Sequence, residues 1–146
     1  MRAMLNDVPI LAGLDEAALN LLWDYIVESR APAGGVIVRE GEEGNRFFLI
    51  GEGTVRVCKH FAQPKEFELC RLGSRDFFGE MCVFETLPRA ATVQAVVDTT
   101  LYSLTSLTFY RLYEALPRQH SILIVNIARD LSRRLRHMDE ILAARQ

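Results

Sequence analysis

The amino-acid sequence predicts a mainly β domain with flanking α structure: an eight-stranded β-roll or jelly roll, preceded by N-terminal helices and followed by a long C-terminal helix. Three observations carry that expectation. Six short runs rich in β-branched and aromatic residues crowd residues 36–104, each ended by a turn signal. No helical stretch alternates with them, which argues against a parallel sheet with crossover helices. At both ends of the chain the apolar spacing changes to that of a helix.

The first part, residues 1–30, reads as helical. Leu14, Ala17, Ala18, Leu21, Leu22, Tyr25 and Ile26 recur on one helical face, and Asp15 is placed to cap the start. Ala31-Pro32-Ala33-Gly34-Gly35 breaks the pattern. The second part, 31–104, holds the strand runs 36–39, 46–50, 54–60, 66–72, 91–97 and 100–104. Gly41 and Gly44, then Gly51-Glu52-Gly53, Gln63-Pro64, Gly73-Ser74 and Asp98 divide them. Within 66–72, Phe67, Leu69 and Arg71 alternate with Glu66, Glu68 and Cys70, as strand faces do. The third part, 105–146, is helical again. One helix starts near Thr105 or Ser106 and ends before Pro117, which then sits in the first turn of a longer helix reaching about Ala144. On it Ile124, Ala128, Leu131, Leu135, Met138 and Leu142 are spaced 4, 3, 4, 3, 4, a heptad seam over 124–142 that fits a homodimer.

Composition bounds the function classes. The 146 residues are read as one domain, 1–146, and the hydrophobic 49% and charged 25% are globular values. A net charge of −2 gives no general attraction to nucleic acid or anionic membranes. No run reaches the ~18 apolar residues of a membrane span. The opening residues, interrupted by Asn6, Asp7 and Pro9, make a poor signal peptide, so the expected compartment is the cytoplasm. Cys58, Cys70 and Cys82 are widely spaced, without a CxxC, and are expected as buried reduced thiols. His60, His120 and His137 fall in different segments with no HxH, so neither a metal site nor a cupin-like enzyme is favoured.

The chemistry concentrates in the stretch 78–93, FGEMCVFETLPRAATV. Gly79 lets the chain turn or lets a ligand approach the backbone. Glu80 and the four residues after it can form one helical turn whose free N–H groups make an anion site. Arg89 offers a permanent cation with a fork suited to phosphate oxygens. Ala90 and Ala91 offer backbone N–H groups without bulk. Such a set suits a ligand carrying a phosphate and a hydroxyl, a sugar phosphate or a nucleotide. Residue chemistry alone leaves a second reading open, in which Glu80 and Arg89 simply pair with each other on a loop.

The stretch closely resembles the phosphate-binding cassette of cyclic nucleotide-binding domains, as in regulatory subunits of cAMP-dependent protein kinase and the bacterial catabolite activator family. Phe78-Gly79-Glu80-Met81-Cys82 and Pro88-Arg89-Ala90-Ala91-Thr92-Val93 match its two halves, with the Glu-to-Arg spacing of the kinase type. REGEEGNRFFLIGEGTVRV (39–57) resembles the family's strand–turn–strand, and VPILAGLDEAALNLL resembles its N-terminal helices. The resemblance covers nearly the whole chain. It implies that Glu80 accepts from a ribose 2′-OH beside the Gly79 backbone, and that Arg89 pairs with a cyclic phosphate. It implies too that the N–H groups of Ala90, Met81 and Cys82 complete the anion cradle. A Ser or Thr after the arginine favours guanine nucleotides in this family. Ala90 lacks the hydroxyl, so the implied ligand is cAMP, with cGMP the alternate, and no cofactor or metal. The family's activators reach the base with hydroxyl residues of the C-terminal helix, whereas Arg136-His137-Met138-Asp139 has none here. Arg129, Arg133, Arg134 and Arg136 are expected on a solvated face balanced by Asp130, Asp139 and Glu140, with His137 an exposed helix residue. The expected function is a free-standing, non-catalytic sensor module that relays binding through its C-terminal helices to an unidentified protein, without contacting nucleic acid. The alternative is the truncated sensor half of an activator-type transcription factor.

Overall fold

The computed structural model describes residues 2–84 and 87–145, with side chains from Leu5 onward. Two short 3-10 turns, Arg2–Asp7 and Pro9–Leu11, lead into α1 (Glu16–Tyr25). Asp15 caps α1 by accepting a 2.9 Å hydrogen bond from the Ala18 N–H, as its position predicts. Two four-stranded antiparallel sheets follow. One runs β1 (Val27–Ala31), β8 (Thr99–Thr105), β3 (Arg46–Glu52), β6 (Phe77–Phe78). The other runs β2 (Val36–Val38), β7 (Thr92–Ala95), β4 (Val55–Lys59), β5 (Phe67–Leu72). The four-residue turn α2 (Met81–Phe84) lies between β6 and β7. Then α3 (Ser106–Ala115) and α4 (Pro117–Ala144) close the chain. Among the described residues no helix is long and apolar enough to cross a membrane.

Two strands escape the sequence reading. The roll begins at Val27, four residues before the expected 31, because β1 is a strand of mostly exposed residues with no apolar alternation to announce it. Its partner β8 supplies the reason it forms: Val27 pairs with Ser103 and Ala31 with Thr99. β6 is only Phe77–Phe78, too short for periodicity, and is recruited by Phe48 and Leu49 of β3. Within β5 the face turned to the roll interior carries Cys70 and Leu72, while Phe67 stays exposed. Among the thiols Cys58 is buried and Cys82 half-buried, but Cys70 is exposed, because it lines an open cavity.

β3 explains why the run after Arg46, residues 47–50, is uniformly apolar: it is buried on both faces. Phe47 and Leu49 face the helices, where Phe47 stacks on Phe77 at 5.4 Å and meets the edge of Phe109 at 5.3 Å. Phe48 and Ile50 face between the sheets, and Phe48 stacks on Phe78 at 4.9 Å. Each such buried side chain contributes roughly 1.5–3 kcal/mol of transfer free energy. α4 joins the first core through Leu123 and Ile127. Asn126 fastens it to the N-terminal turns by donating to the carbonyls of Ile10 and Ala12 at 2.9 and 2.8 Å. The seam residues Leu135 and Leu142 remain 65% and 58% exposed, so the domain does not cover that stripe.

Candidate functional site

A cavity of about 220 Å³ opens between the sheet β2–β7–β4–β5 and the β6–α2 segment. Gly79, Glu80, Met81, Cys82, Arg89, Ala90 and Ala91 all line it, so the structure gathers every residue singled out in 78–93 around one space. Glu85 and Thr86, within that stretch, lie outside the described residues. Val38, Val57, Leu72 and Val93 supply apolar wall from the sheets.

The backbone on either side of Arg89 is pinned to the turn after β2. Its N–H donates to the Glu42 carbonyl and its carbonyl accepts from the Gly41 N–H, each at 2.8 Å. Its guanidinium donates from Nη2 to the Arg46 carbonyl at 3.0 Å, and its Cζ lies 5.9 Å from the Phe48 ring centroid. Two glycines make room for it. A Cβ on Gly44 would fall on the guanidinium. A Cβ on Gly79 would stand 2.8 Å from Nη1 and 2.7 Å from the Arg46 carbonyl oxygen, at a φ of +81°. The sequence marked Gly44 only as a turn; its second duty is visible only once β3 and the 89–91 segment meet.

Glu80 and Arg89 line the same cavity yet form no ion pair with each other among the described residues. The loop-pairing reading of the two therefore fails. One acceptor and one cation are presented separately to the cavity. Burial pushes the Cys82 thiol up from its ordinary range while the nearby Arg89 charge works against it, and Glu80 adds to the rise. Cys82 is thus a neutral wall residue at neutral pH.

Arg134 is a correction. Expected on the solvated face of α4, it instead lines the cavity. It donates from Nη2 to the Phe77 carbonyl at 3.0 Å, and its Cζ lies 4.1 Å from the Phe77 ring centroid. Asp130, one turn earlier, holds its Nε at 2.8 Å. The Asp130 Oδ2 is buried and has no aligned hydrogen bond, so this contact is Coulombic attraction and not directional bonding. Arg129, Arg133, Arg136 and His137 are exposed as expected. The missed signal is spacing: Leu123, Ile127, Asp130 and Arg134 step 4, 3, 4 along α4, which puts Arg134 on the face that packs against the domain.

The family profile described as "Cyclic nucleotide-binding domain" matches residues 28–115. The cyclic AMP receptor protein of Thermus thermophilus is 33% identical over 90% of this chain, which spans 59% of that protein. A cyclic nucleotide-gated potassium channel of Mesorhizobium japonicum is 39% identical over 75% of this chain, which spans 29% of the channel. A crystal structure of a cyclic nucleotide-binding domain from Methylobacillus flagellatus shares the fold, with a TM-score of 0.86 at 21% identity over 99% of this chain and 81% of that one.

Proposed function

The chain belongs to the cyclic nucleotide-binding domain family, and from that premise we propose that its cavity takes cAMP and that the domain works as a regulatory sensor. The observation that carries the reading is the unpaired presentation of Arg89 and Glu80 to one cavity beside the Ala90 and Ala91 backbone. An arginine fork matches two phosphate oxygens, and N–H groups extend that cradle. Glu80 is an acceptor for a ribose hydroxyl. The apolar walls from Val38, Val57, Leu72 and Val93 suit a nucleobase. Ala90 gives no hydroxyl to a guanine amino group, which favours cAMP over cGMP.

Relay runs through α4. Arg134 sits on the cavity wall and is tied to the β6 carbonyl of Phe77, so a ligand that displaces or recruits it biases the position of the helix. The exposed seam of Leu135 and Leu142 then carries that bias to a second copy of the chain, and from the dimer to a downstream protein.

Isothermal titration of cAMP into wild type and Arg89→Ala tests the reading. Removal of one charge-assisted contact should weaken binding about tenfold to a hundredfold. Equal affinity in the two proteins, or no uptake by wild type, overturns it.

A further inference from the structure

Outside the residues that touch the cavity, one charged side chain among the described residues is bonded to the cassette backbone. Lys59, the last residue of β4, donates from Nζ to the carbonyl of Ala90 at 2.5 Å. The same ammonium lies 3.1 Å from Glu40 Oε2. Glu40 is itself fixed from two sides: its Oε1 accepts from the His60 N–H at 3.0 Å, and its own N–H donates to Thr92 Oγ1 at 2.9 Å. Lys59 does not line the cavity, whereas Ala90 and Ala91 do.

A trans peptide is planar, with its C=O and N–H directed oppositely. The Ala90 carbonyl and the Ala91 N–H belong to one such plane, and no cis peptide occurs among the described residues. Holding the carbonyl toward Lys59 therefore turns the Ala91 N–H away from Lys59, and both alanines border the cavity. Among the described residues that N–H donates to no backbone acceptor outside the regular elements. The peptide plane has no neighbouring strand to hold it, because β7 starts only at Thr92.

We propose that Lys59, steadied by Glu40, is a positioning residue for ligand binding: it fixes the Ala90–Ala91 peptide plane so that the Ala91 N–H meets the ligand anion. The inference rests on the cyclic nucleotide reading above. It places a determinant of affinity on the outside of the roll, in a pair that no ligand contact would reveal. Pre-organised donors bind an anion better than donors that must first be turned, since the ordering cost is already met in the free protein.

The experiment compares wild type with Lys59→Met, Lys59→Arg and Glu40→Gln. cAMP is titrated calorimetrically, and the Ala91 amide proton is followed by NMR with and without cAMP. Lys59→Met should bind about tenfold more weakly, and Lys59→Arg should recover to within about threefold of wild type. The Ala91 amide should move downfield on cAMP addition in wild type and distinctly less in Lys59→Met, a response that general destabilisation would not single out. Should Lys59→Met fail to fold, Glu40→Gln carries the same test, with a loss of about threefold and the same muted amide shift. Wild type binding cAMP with Lys59→Met within about twofold of it overturns this inference alone. An Ala91 shift equal to wild type's does the same. No binding by wild type overturns the functional reading and this inference together.

Discussion

At the scale of single residues, the cavity depends on side chains that are missing as much as on those present. Gly44 and Gly79 leave the space that the Arg89 guanidinium occupies. Their substitutions should separate. Gly44→Ala puts a methyl group on the guanidinium and should weaken cAMP about tenfold with little change in melting, because no left-handed backbone is involved. Gly79→Ala clashes with the guanidinium and also with the Arg46 carbonyl oxygen, and it adds the strain of a side chain at φ +81°, about 1–2 kcal/mol. Calorimetric affinity beside the unliganded melting temperature distinguishes the two; equal melting loss in both would contradict this account. Glu40 gives a titration prediction. The His60 N–H first, and Lys59 second, hold its carboxyl below the ordinary carboxylate range. A depressed acid contributes stability that is present above the ordinary value and is lost as pH falls through the folded one. Carbon NMR should find the Glu40 midpoint below the usual ~4.3, and Lys59→Met should bring it part of the way back. A wild-type midpoint at or above ~4.3 would refute the clamp.

At the scale of elements, α4 carries two apolar seams, one docked on the domain and one in part exposed. Leu123, Ile127 and Arg134 face the domain, the first two within the helical core and the third on the cavity wall. The stripe of Ile124, Ala128, Leu131, Leu135, Met138 and Leu142 is shifted around the helix, and its outer members stay exposed. Substitutions on the two seams should therefore have different readouts. Ile127→Ala removes a fully buried side chain and should cost about 2–5 kcal/mol, lowering the melting temperature by roughly 6–15 °C. Leu135→Glu with Leu142→Glu should leave melting of the isolated domain nearly unchanged and abolish self-association in sedimentation experiments. A wild type that sediments as a monomer at all concentrations would remove the dimer proposal and leave the binding proposal intact.

At the scale of the whole molecule, the two cores and the cavity meet at β6. Phe77 turns toward the helices and Phe78 toward the roll, so the two-residue strand β6 couples both cores at the place where Arg134 docks. Ligand that binds only the folded state should raise stability by about 2.7 kcal/mol at a hundredfold excess over its dissociation constant. A thermal-shift series with cAMP, cGMP and AMP should rank cAMP first, and a larger shift with cGMP would reverse the assignment drawn from Ala90. The sequence alone determined the strand-rich middle, both C-terminal helices with their bounds, and the seven residues brought to the cavity. It could do so because periodicity, proline placement and the Gly-Glu and Pro-Arg-Ala-Ala spacing are local signals. Only the tertiary structure decided the rest. β1 and β6 exist because β8 and β3 pair with them, and their own residues carry no alternation long enough to read. Arg134 turns to the cavity wall because docking of Leu123 and Ile127 fixes the rotation of α4. Lys59 reaches Ala90 across thirty-one positions of sequence. Such contacts are set by which surfaces meet after folding, and neighbours along the chain hold no record of them.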